Sequence, residues 1–62
     1  MNVIIRNVKT YATEYKYIVA RRVDNEWWFW GAWNEYNEAF DAATNINGCV
    51  FPKEEVQCEV CK

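Results

Sequence analysis

The sequence predicts an α+β fold, an antiparallel three-stranded meander with one helix packed across a face and one or two short C-terminal strands after it. Three observations carry that expectation. All four tryptophans of the chain fall within Glu26-Trp27-Trp28-Phe29-Trp30-Gly31-Ala32-Trp33, a run too rich in aromatics to be anything but a pleated, packed strand. Asp24-Asn25, two residues that tolerate positive φ, separate it from the strand-like run before it, which is a strong hairpin signal. Finally, Tyr36, Ala39, Phe40, Ala43 and Ile46 recur at helical spacing.

Taken in order, Val3-Ile4-Ile5 with Val8 predicts a first strand over about 2–9, and Tyr15 to Val23 a second over about 14–23. The third strand covers about 26–33. A two-residue turn sets Val23 opposite Glu26, and counting back pairs Arg22 with Trp27, Arg21 with Trp28, Ala20 with Phe29, Val19 with Trp30, Ile18 with Gly31 and Lys16 with Trp33. One face then holds Ile18, Ala20, Phe29 and Gly31, with Arg22 beside Trp27 and Lys16 beside Trp33 at its ends. Its small residues make it the expected seat of the helix. The other face holds Tyr17, Val19, Arg21, Trp28 and Trp30.

A helix over about 35–46 follows, with Asn34 placed to cap it, Glu35 and Glu38 in its first turn, and Asn47-Gly48 suited to end it in the left-handed conformation. Two extended runs, over about 49–51 and 56–60, flank Pro52-Lys53-Glu54-Glu55. If they pair across that loop, Phe51 faces Val56 and Cys49 faces Cys58.

Sixty-two residues predict one small domain spanning 1–62, of a size at which folding hides only about 60% of the unfolded chain's surface. Aromatics compensate, since each removes roughly 150–250 Å² from water when buried. A formal charge of −2 supplies no basic field for a nucleic-acid backbone or an anionic membrane. The longest apolar run, Trp27 to Trp33, is too short to span a bilayer. No basic n-region or cleavage signal opens the chain, so a cytoplasmic protein is expected, of the acidic, leaderless kind met among accessory proteins of phages and mobile elements.

Without His or Ser, the common acyl-transfer and general-base constellations have no members, and two glycines cannot build a phosphate-binding loop. No catalytic activity and no cofactor are expected. Cys58-Glu59-Val60-Cys61 has the spacing that lets two thiolates share a metal ion, and Cys49 would make a third ligand, so a zinc-stabilised mini-domain is one alternative. The neighbouring Glu54, Glu55 and Glu59 disfavour a reactive thiolate, and the odd cysteine count favours reduced, metal-free thiols. A second alternative is a single-strand nucleic-acid binder that stacks bases on the aromatic face, with Arg21 and Arg22 contributing. The leading expectation is a non-catalytic interaction module. A sheet with one covering helix can bury only one aromatic face, so Tyr17, Val19, Arg21, Trp28 and Trp30 are expected to bind a second copy, as a homodimer, or another protein.

Overall fold

In the computed structural model, which describes residues 3–58, the chain forms β1 (Val3–Arg6), a 3-10 turn (Thr10–Glu14), β2 (Tyr17–Val23), β3 (Glu26–Trp33), α1 (Tyr36–Ile46), β4 (Cys49–Pro52), a second 3-10 turn (Lys53–Glu55) and β5 (Val56–Cys58). The class is α+β. The sheet is mixed and five-stranded, in the order β4-β2-β3-β1-β5, which replaces the expected meander. β2 and β3 are antiparallel, as the turn requires, but β1 lies on the far side of β3 and runs parallel to it. Asn7, at φ 61°, ends β1 after Arg6, and the connection that follows carries Val8 and Ala12 into the core. Those two apolar side chains need burial, so 7–16 crosses the sheet as a cover and cannot serve as a hairpin loop.

The turn itself is as read: Asp24 and Asn25 take φ 52° and 67°, the paired positive values of a type I′ hairpin turn whose twist matches the strands. From Val23–Glu26 to Ala20–Phe29 the register is the one expected. Between Ala20 and Val19 it slips. Trp30 is the extra residue of a β-bulge, so Val19 meets Gly31, Ile18 meets Ala32 and Tyr17 meets Trp33. Lys16 loses its expected partner, and its N–H donates instead to Asn34 Oδ1 at 3.2 Å. Asn34 therefore ties the end of β3 to the start of β2 and does not cap α1, whose first turn has no side-chain cap.

The bulge also corrects the side on which the helix sits. Val19, fully buried, packs with Ala39 and Ala43 of α1, ringed by Tyr17, Trp33, Ile46 and Val50. The helix thus covers the face expected to stay open. The reason is local: a Cβ on Gly31 would lie 2.6 Å from Cη2 of Trp33, so the indole lies across the bare glycine and fills the helix side. Of the expected stripe, Ala39 and Ala43 are buried and Ile46 partly so, whereas Tyr36 and Phe40 are exposed. Small residues at the contact let the helix axis come close, which leaves its longer side chains at the rim.

The opposite face is closed by the β1–β2 connection. Ile5, Val8, Ala12, Ile18 and Ala20 form its buried centre, with Trp27, Phe29, Phe51 and Val56 packed around it. Trp27 meets Phe51 edge-on at 5.1 Å between ring centroids, and Tyr11 meets Phe29 at 6.0 Å. This cluster also explains how three residues join the two edges of the sheet. Five flat strands would separate β4 from β5 by about 19 Å, while the four Cα steps from Pro52 to Val56 reach at most about 14 Å. The sheet must therefore curl around the cluster, bringing Phe51 and Val56 onto the same core.

β4 pairs with β2 and β5 with β1, so the expected pairing of the two C-terminal runs is not formed. Cys49 stands opposite Ala20, and Cys58 occupies the register position opposite Ile5. Residues 59 and 60 of the last expected strand lie outside the described residues. At the β4 edge, Lys53 N–H donates to the Lys16 carbonyl at 2.9 Å, just beyond the Tyr17–Pro52 pair. Alternation along the strand then turns the nitrogen of Pro52 away from β2, where its missing N–H weakens the edge as a template for further pairing. The end of α1 is sealed similarly: Asn47 takes φ 60°, with Asn47 N–H bonded to the Thr44 carbonyl and Gly48 N–H to that of Ala43, a Schellman arrangement.

Two stability predictions follow from these backbone positions. Asn25→Gly should be neutral or stabilising, while Asn25→Val, forced into positive φ, should cost about 1 kcal/mol or more; thermal melts in which valine is tolerated as well as glycine would contradict the turn. A Cβ on Gly48 would sit 2.3 Å from the backbone oxygen of Ala20. Gly48→Ala should accordingly lower stability by about 1–3 kcal/mol in a denaturant titration, since backbone must move to admit the methyl group.

Candidate functional site

The five side chains expected on the partner face are split by the helix. Val19 is sealed beneath α1 at 0% exposure and leaves the surface altogether. Tyr17 is half-buried, its ring edge-on to Tyr36 at 5.5 Å. Arg21, Trp28 and Trp30 remain exposed, the two indoles at 37% and 49%. The placement of α1 explains the split: it packs chiefly on β2 and β4 and less on β3. α1 packs over the Tyr17–Val19 end of the face, and the end nearer the hairpin turn stays open.

Two further side chains join the open half. β1 sets Arg6 opposite Trp28, which β2 flanks from the other side with Arg21, so a row Arg21–Trp28–Arg6 runs across three strands. Ile4, two residues from Arg6 and thus on the same side of the strand, is 62% exposed. Neither was expected, because the sequence reading placed β1 beside β2. The alternation of exposed Ile4 and Arg6 with buried Ile5 was visible, but it gained meaning only once β1 was known to border β3.

The charges of this strip are arranged by the sheet. The Arg21 guanidinium carbon lies 5.9 Å from the centroid of the Trp30 ring, and an Arg6 Nη2 to Glu26 Oε2 pair spans 3.0 Å. Both side chains of that pair are nearly half exposed, so it contributes well under about 1 kcal/mol of stability. Its effect is positional: it holds Arg6 next to Trp28. On the other face Arg22 makes the corresponding contact with Trp27, at 5.1 Å. All three arginines of the chain therefore sit against or beside an indole.

Elsewhere, Tyr36 and Phe40 stack on one flank of α1 at 6.1 Å, exposed to 51% and 52%. Of the three cysteines proposed from spacing, Cys49 is exposed on β4, Cys58 belongs to β5, and Cys61 lies outside the described residues. Among the described residues no three His, Cys, Asp or Glu side chains are grouped to hold a metal ion, and no polar or charged residue is buried. No helix of the described residues is long and apolar enough to cross a membrane. Chemically, the strip offers flat apolar surface, a cation held over it and a second cation at its border.

Sorting the tryptophans this way has a measurable consequence. Trp33→Ala, which empties the space under α1, should cost about 3 kcal/mol or more, whereas Trp30→Ala should change stability by no more than about 1 kcal/mol. Equal losses in urea unfolding would place both indoles in the core. No protein-family model matches this chain, and no characterised protein or solved structure was found to be similar to it.

Proposed function

We propose that this chain is a non-catalytic protein-interaction module whose binding surface is the strip of Arg21, Trp28 and Trp30, extended by Ile4 and Arg6. The observation that supports it most is that two indoles of one strand stay exposed next to Arg21 and Ile4, in a chain with little apolar area to spare. Tryptophan and arginine are the residues most enriched at the energetic centres of interfaces, where they bring area and directional polar contacts together. The strip lies on paired strands of the sheet, with Trp30 at a bulge of β3, so its side chains are presented from a framework and not from a loop.

A second reading is favoured by one feature, the Arg21–Trp28–Arg6 row, which resembles in outline the stacking platforms that hold single-stranded nucleic acid between cations. Two things weigh against it: Glu26 occupies the same strip as the partner of Arg6, and the chain as a whole carries −2. A phosphate backbone requires a track of cations, and among the described residues this face supplies only Arg6 and Arg21.

The protein reading is tested by comparing wild type with Trp28→Ala and Trp30→Ala, first by native mass spectrometry over a wide concentration range and then as bait in affinity capture. Both variants should melt near the wild-type temperature and lose the self-association or the captured partner. A wild type that is strictly monomeric and captures nothing, or variants that unfold at every concentration, would remove the strip from consideration.

A further inference from the structure

We infer that the occupant of the Arg21–Trp28–Trp30 strip is an acidic peptide segment that carries at least one large apolar side chain, a statement that rests on the interaction-module reading and narrows it. Charge comes first. Among the described residues the face presents Arg21 and the Arg6–Glu26 pair, on a chain whose net charge is −2. Among the described residues Arg21 makes no ion pair, and its guanidinium is held over Trp30, where a carboxylate can reach it while an apolar side chain lies on the adjoining ring. Pairing an arginine on an aromatic face with an incoming carboxylate uses donors that the ring contact leaves available.

Area decides against a second copy as occupant. Ile4, Trp28 and Trp30 together expose on the order of 300 Å², well short of the ~800 Å² that each partner contributes to a standard stable interface. A short segment needs less area and brings the opposite sign. At the β4 edge Pro52 presents no N–H on the open side, which weakens that edge for strand addition. The inferred contact is made on the face of the sheet, through side chains.

The test is selection from a random dodecapeptide library displayed on phage, with the wild-type protein as target and the Trp30→Ala protein for counter-selection. Recovered peptides should be enriched in Asp and Glu and contain an aromatic or long aliphatic residue. Arg21→Glu should weaken them about tenfold and Trp28→Ala or Trp30→Ala should abolish binding, at unchanged melting temperature, with affinity falling as salt is raised. Peptides that require the tryptophans but are neutral or basic would overturn the acidic partner and leave the interaction module standing. If no peptide depends on either tryptophan, and wild-type self-association is equally indifferent to them, both readings fall. A homodimer through Trp30 that excludes every peptide, or an oligothymidylate that binds the strip more tightly than any peptide, would overturn the acidic partner in favour of that occupant.

Discussion

The bulge at Trp30 governs the placement of every aromatic side chain in the second half of β3. Strand alternation alone would put Trp33 on the same side as Phe29, and Trp30 directly across from Val19. With one extra residue in β3, Trp33 passes to the other side, opposite Tyr17, while Trp30 stays with Arg21. Gly31 makes this workable, since its missing side chain is the space into which the Trp33 indole folds. The helix then docks on Val19 through Ala39 and Ala43, close to a surface that Trp33 has already filled.

Each face of the sheet consequently has its own lid. α1 closes one, and the Thr10–Glu14 turn with Val8 and Ala12 closes the other. Dividing a chain of this size into two apolar clusters works only because the sheet curls, letting strands from both edges serve one cluster. With β4 and β5 at opposite edges, the three-residue link between them can be accommodated only by that curl. The expected Cys49–Cys58 cross-strand pair is not formed for the same reason, as the two residues are carried by strands with different partners.

The exposed strip is what these two lids leave behind. α1 sits chiefly on β2 and β4, and the second lid is on the other face. Trp28 and Trp30 thus stay at the surface through geometry that the rest of the fold requires, with Arg21 and Arg6 set on either side of Trp28 by the pairing of β2 and β1. The fully buried side chains are small or branched aliphatic ones, and the aromatic rings surround them.

What the sequence alone determined was local. Asp24-Asn25 specified the hairpin because two adjacent residues with low cost at positive φ favour one turn, and that turn dictates the register for the four pairs nearest it. The helix and its end at Asn47-Gly48 were legible for the same reason, as periodicity and termination are written within a dozen neighbouring residues. Arg21 and Trp28 are placed together within that part of the register, while Trp30 lies just beyond it, at the bulge. The tertiary structure decided the rest: that β1 borders β3, that β4 and β5 separate, and that the helix takes the Val19 face. Those choices depend on competition among distant apolar surfaces for burial, in which Val8, Ala12 and Gly31 have decisive effects that no local pattern reveals. Val19 illustrates the difference, since its alternation placed it correctly beside Tyr17 and Arg21, yet only the docking of Ala39 and Ala43 made it core.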